Sequence, residues 1–368
     1  MATHELKANL LVPVHEDADH CHTRWHPDIP PALTCNPGDE VLLTTRDAVD
    51  GQFSLASTHE DVSRSDRSLV CPLTGPIAIT DARPGDLLAV DILDVTPGTF
   101  GYTAIIPGFG FLRDEFTEPF LARWKIVDGW ATSDDLPGIR IPGAPFMGTI
   151  GVAPSHDLLE RISLRERSLG AAGEDVALPD PRGAVPADNA IARTGLRTRP
   201  PREHGGNVDV KQLTAGSRVL FPVWTEGALF SAGDAHFAQG DGESCGTAIE
   251  TSAVLRVRFE LLEGAAAAAG IRDIRFSGMR ATTMPGPYVA TTGLSVYADG
   301  PNHPEDLNSA ARCALTNMID LLVGEYGYTR QQAYAICSVA VDLRIAQVVD
   351  LPSFIVTAEL PLSVLTEP

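Results

Sequence analysis

Ser252-Ala-Val-Leu-Arg-Val-Arg-Phe-Glu-Leu-Leu262 alternates apolar and polar side chains, the period-two pattern of a strand with one buried face. Shorter apolar runs of the same kind lie to either side. Val219-Leu-Phe-Pro-Val-Trp224 precedes it, and Glu40-Val-Leu-Leu-Thr-Thr45 and Leu87-Leu-Ala-Val-Asp-Ile-Leu93 lie near the N-terminus. Both N-terminal runs follow a Pro-Gly turn, at Pro37-Gly38 and Pro84-Gly85. With 33 Gly and 28 Pro in 368 residues, the chain favours turns over long helices. The expected fold is mainly β, with a β-sandwich or barrel core and an α+β C-terminal part.

The C-terminal part carries two helix patterns. From Asp306 to Val323, Leu307, Ala311, Ala314, Leu315, Met318, Leu321 and Leu322 share one face, with Pro304 and Asp306 before them and Gly324 as the expected cap. Thr329 and Gln332 form a capping-box pattern for a second helix running to Ser338, followed by strand-like Leu343–Val349. Residues 159–202 are charged, then rich in Ala, Gly, Pro and Asp, and are expected to form a long surface loop. The chain thus divides into 1–160 (β-rich), 161–202 (the loop crossing), 203–280 (β-rich, with the chemistry) and 281–368 (α+β).

A net charge of −20 argues against nucleic acid and anionic membranes as partners, because phosphate binding needs clustered Lys and Arg. Cysteines 21, 35, 71, 245, 313 and 337 contain no Cys-x-x-Cys pair, so no zinc ribbon or redox dithiol is signalled. There is no secretory signal pattern and no apolar run approaching the roughly 20 residues of a membrane span. A cytoplasmic protein with reduced thiols is expected.

Chemistry concentrates in Ser231-Ala-Gly-Asp-Ala-His-Phe-Ala-Gln-Gly-Asp-Gly-Glu-Ser-Cys-Gly-Thr247. Asp234, His236, Gln239, Asp241, Glu243 and Cys245 stand among four glycines, which let backbone approach a small ligand. Asp234 and His236, two residues apart, share a face of an extended strand, as two metal ligands or an acid–base pair require. A second cluster, Arg202-Glu-His-Gly-Gly-Asn-Val-Asp209, offers His204, Asn207 and Asp209. Weaker candidates are Asp47 and Asp50 after the strand 40–45, and the apolar run Pro145–Pro154 as a pocket wall.

Gly233–Glu250, Pro145–Pro154, His204–Asp209 and Asp342–Asp350 together resemble the acetamidase/formamidase family, in the family's order and closest to its acetamidase-like branch. The resemblance implies hydrolysis of a short aliphatic amide to carboxylate and ammonia by a homo-oligomeric enzyme. Phe237 and Ser244 depart from that branch's smaller or aliphatic residues, which bears on the substrate. On chemical grounds, His204, Asp209, Asp234 and His236 are expected to hold a divalent metal, zinc first. Glu243, Asp234, Gln239 and Asp241 are expected as catalytic residues, and Asn207, Phe237 and Gly240 as substrate contacts. Two alternatives stay open at this level: a Cys245 nucleophile, and a non-catalytic binding protein reusing the pocket.

Overall fold

The strand at 252–262 is the middle of a six-stranded sheet. Its order is Thr3–Lys7, Glu40–Thr45, Ala253–Leu262, Leu87–Pro97, Arg218–Pro222 and Arg275–Ser277. The computed structural model describes residues 2–278, 286–295 and 303–366. Ala253, Leu255, Val257 and Phe259 are buried, while Arg256 and Glu260 on the opposite face are exposed, as the alternation predicts.

The second, 11-stranded sheet contains Phe146–Gly151, Phe230–His236, Glu250–Thr251 and Phe100–Ile105 among its strands, and Gly205–Asn207 lies at one edge. Phe146, Ile150, Phe230, Ala232 and Ala235 of this sheet share one core with Val41, Leu43, Leu88, Val90, Val257 and Phe259 of the first. Burying both inner faces is the main stabilising term, at roughly 25 cal/mol per Å² of apolar surface. The architecture is mainly β, and no closed barrel is seen among the described residues.

In the C-terminal part, helices Leu307–Tyr326 and Arg330–Ala340 accompany a three-stranded antiparallel sheet of Tyr288–Leu294, Ile355–Pro361 and Asp342–Gln347. The capping box at Thr329 and Gln332 is present. The first helix runs through Gly324, and Gly327, at φ 75°, caps it instead. The last of the four expected segments includes residues 281–285, 296–302 and 367–368, which lie outside the described residues.

The expected loop begins as a helix, His156–Ala171, with Ser155 accepting the Leu158 N–H as its cap. Leu158, Leu159, Ile162 and Glu166 face inward, a helical period hidden by the charged residues between them. Glu166 is buried because it receives a two-pronged ion pair from Arg202, at 2.7 and 3.0 Å. That pair anchors the start of the His204–Asp209 segment.

Candidate active site

Several chain segments converge on one buried cluster. Strand Phe230–His236 contributes Asp234 and His236, and the loop after it contributes Gln239 and Glu243. Glu250 pairs directly across from His236 in strand register. Asp209 follows the edge strand Gly205–Asn207, and Gly148 and Thr149 come from the neighbouring strand.

His236 is at the centre. Its Nε2 lies 3.2 Å from Glu250 Oε2, 3.6 Å from Asp234 Oδ1 and 3.9 Å from Glu243 Oε1. Its Nδ1 donates to Gln239 Oε1 at 2.9 Å, and Gln239 Nε2 in turn donates to the Asp209 carbonyl at 2.9 Å. A carbonyl oxygen only accepts, so Nδ1 carries the proton and Nε2 is presented to the carboxylates.

Asp234 Oδ2 accepts from Thr149 Oγ1 at 3.0 Å and from the Cys71 thiol at 3.3 Å. Asn207 Nδ2 donates to Asp209 Oδ2 at 2.6 Å, and the Thr149 hydroxyl lies 2.5 Å from Asn207 Oδ1. Asp209 Oδ1, Asp234 Oδ1 and Glu250 Oε2 are left buried without a hydrogen-bond donor among the described residues. The approach of His236 to Glu250 is a charge contact without hydrogen-bond geometry.

Burying this many carboxylates is costly unless a cation or protons neutralise them. Burial pushes Asp209 and Glu250 each up to about 7, although His236 pulls the other way. Burial, then the charge of Asp209, raises Glu243 well above the ordinary range. Burial pushes the Asp234 carboxyl up, but the charge of the adjacent His236 and the Cys71 thiol that donates to it bring it below its ordinary value. Burial opposes protonation of His236, but Glu250 and Asp234 overcome it and raise its pKa well above the usual value.

The ligand-capable atoms form two groups that share His236: Asp209–His236–Glu243 and Asp234–His236–Glu250, each within 4.8 Å. Imidazole nitrogen with carboxylate oxygens is a donor set suited to zinc and similar divalent ions. Gly148 borders the same space. A Cβ there would come 2.7 Å from His236 Nε2 and 2.8 Å from Asp209 Oδ1, so glycine keeps this cradle open. The unpartnered oxygens and the open cradle both fit a bound cation.

The local backbone is unusual at these positions. Cys71, Asp209, Asp234 and Glu243 all have positive φ, at 54°, 47°, 58° and 43°. Non-glycine residues pay to adopt this region, and such strain gathers where side chains must be aimed. Gly233 explains part of it: a side chain there would strike the Pro72 carbonyl, so the strand passes tight against the segment carrying Cys71.

Several expected site residues lie elsewhere. His204 Nδ1 donates to the Val152 carbonyl (2.9 Å), and the ring packs edge-on to Trp25 and belongs to neither ligand group. Burial lowers its pKa to about 3, so it is a neutral core histidine. Asp241 faces Lys211 at 3.5 Å, and its backbone N–H binds Asp342. Phe237 is buried in the other core, beneath the C-terminal helices, and Gly240 packs against the carbonyls of Cys337 and Val341. Asn207 and Gln239 are at the cluster, but their amides are committed to Asp209, Thr149 and His236.

Cys245 is fully buried, with its thiol against the carbonyls of Ala104 and Thr247, and burial raises its pKa. Asp47 is capped by the Tyr102 hydroxyl at 3.2 Å, whereas Asp50 binds Arg46 at 2.6 Å. Glu250, Cys71, Thr149 and Gly148 are the residues that sequence reasoning did not assign. Gly148 and Thr149 fall inside the suspected pocket wall, and Glu250 ends the family-like block. Nothing in the sequence marks Cys71.

A cluster of this kind defines a site able to hold a divalent cation beside buried carboxylates. The acetamidase/formamidase family model matches residues 7–367, and the chain belongs to that family. It is 39% identical over 343 residues to an acetamidase of Mycolicibacterium smegmatis, covering 86% of this chain and 84% of the relative. It is 37% identical over 362 residues to a formamidase of Methylophilus methylotrophus, covering 92% and 88%. The solved gamma lactamase of Delftia acidovorans superposes with a TM-score of 0.94 at 35% identity, over 98% of this chain and 93% of that one.

Proposed function

We propose that this chain hydrolyses the C–N bond of a small aliphatic amide, giving a carboxylate and ammonia, at the cluster centred on His236. The observation that carries the site is the set of unpartnered oxygens on Asp209, Asp234 and Glu250 around His236 Nε2. The family membership and the names of the relatives support the reaction. Water oxygen bonds to the carbonyl carbon, the C–N bond breaks, and the NH2 group takes one of water's protons to leave as ammonia, while the other is released as the new acid ionises to carboxylate.

Asp209, Asp234, His236 and Glu250 are the residues that would hold a divalent cation, zinc first. When bound, it supplies Lewis acidity and neutralises the buried charge. Glu243, partly exposed at the edge of the cluster, takes a proton from water and returns it to the leaving nitrogen. Gln239 fixes the imidazole, and Asn207 and Thr149 fix Asp209 and Asp234. A homo-oligomer accords with exposed Ile345, Val349 and Leu351 near the C-terminal sheet.

Ammonia release from formamide, acetamide and longer amides is measured before chelation, after it, and after zinc is restored. Turnover lost and regained supports the proposal, and full turnover in metal-free protein overturns the cation. No ammonia from any amide, with ligand still bound, favours the non-catalytic alternative.

A further inference from the structure

In a chain of net charge −20, two guanidiniums share one aromatic ring. Arg67 Cζ lies 5.6 Å from the centroid of Phe109, and Arg199 Cζ lies 5.0 Å from it. Neither makes an ion pair with a carboxylate among the described residues, unlike Arg46, Arg123, Arg202 and Arg218. The charge of Asp175 acts on Arg67, and with Glu174 that residue lines a cleft against Phe109, Gly110 and Arg113. Arg197, beside them, spends its guanidinium on the carbonyls of Arg67 and Ser68. Like charges held together repel, and an anion between them removes the part of that cost that Asp175 does not offset.

The pair is tied to the candidate active site through the backbone. Phe109 packs on Gly246, where a Cβ would come 2.5 Å from its ring, and the Gly246 N–H binds the Glu243 carbonyl at 2.8 Å. Thr198 donates to the Val70 carbonyl at 3.0 Å, holding Arg199 next to Cys71, whose thiol rests on Asp234. Asn207, Asp209, Glu243 and Gly246 are the partly exposed residues of this region, whereas Asp234, His236 and Glu250 are buried. Phe109 and Arg199 therefore stand on the side from which solvent reaches the cluster.

We infer that Arg67 and Arg199, ranged on Phe109, form a carboxylate-binding subsite at the rim of the active site, selecting amides whose acyl chain ends in a carboxylate. Planar guanidinium forks match a carboxylate's two oxygens. A positive patch on a strongly negative surface also draws in anionic substrate. The inference rests on the amide-hydrolysis proposal for its chemistry but not for its anion site.

The test compares kcat/KM for succinamate with that for butyramide in the wild-type enzyme and in Arg199→Gln, Arg67→Gln and Arg199→Lys. The wild type is expected to prefer the half-amide by about tenfold or more, the scale of a charge-assisted contact. Either Gln variant should cut that preference at least about fivefold, chiefly through KM, and Arg199→Lys should keep part of it. A wild type without preference, or a preference unchanged in both Gln variants, overturns the inference while leaving amide hydrolysis intact. If no amide is hydrolysed, calorimetric titration with succinate decides. Binding lost in Arg199→Gln sustains the anion site without the amidase reaction, and binding that is absent or unaltered in the variant overturns it.

Discussion

His236 Nδ1 donates to Gln239 Oε1 at 2.9 Å, and that single contact commits the other ring nitrogen to the carboxylates. Gln239→Leu removes the acceptor while keeping most of the side-chain volume. Partners of this kind are worth roughly 10–100-fold in metal affinity or activity, so a loss of that size is expected in both. Metal content after dialysis, measured beside kcat, checks it. Unchanged metal retention would remove Gln239 from the site.

Gly148 gives a sharper test. Its φ is not positive, so alanine meets no backbone obstacle, yet the added methyl would crowd His236 Nε2 and Asp209 Oδ1. Gly148→Ala should lose activity by more than about 100-fold, the scale on which misplaced catalytic groups fail. Its melting temperature should fall far less than that of a core truncation. Full activity would mean that the cradle is not where substrate or metal sits.

Cys245→Ala separates a packed thiol from a nucleophile. The thiol is buried, and its surroundings raise its pKa rather than lower it. Activity within about threefold of wild type is expected, with a modest loss of stability from the small cavity. Abolished turnover in a folded variant would restore the nucleophile.

Arg46 joins Asp17 at 3.2 Å and Asp50 at 2.6 Å, all with side chains at most 6% exposed. Arg46→Met strands two buried acids and should cost about 3–5 kcal/mol, read from chemical denaturation at neutral pH. Burial pushes the Asp17 carboxyl up, but hydrogen bonds from His20, Asn9 and Arg46 bring it below its ordinary value. A lowered folded-state pKa means stability that is present above the unfolded pKa of about 3.9 and lost as pH falls through the lower folded value. The gap between wild type and variant should therefore be constant near neutrality and shrink below about pH 4. A gap independent of pH down to 3 would contradict the role of Asp17.

The sequence alone determined the β character, the central strand at 253–262, the capped helix at Thr329 and the segment that carries Asp234 and His236 of the candidate site. These follow from periodicity and local hydrogen bonding, which neighbouring residues decide among themselves. The adjacency of Asp234 and His236 was legible for the same reason, since two residues of a strand share a face. Only the tertiary structure decided that Glu250, Cys71 and Gly148 join them and that His204 does not. Glu250 reaches His236 by cross-strand register, and Cys71 reaches Asp234 across 163 positions of chain. Register and long-range packing depend on how two sheets bury a shared core, which no local pattern encodes. His204 carried the right side chain in a suggestive motif, but Trp25 and the Val152 carbonyl hold its ring in the core instead.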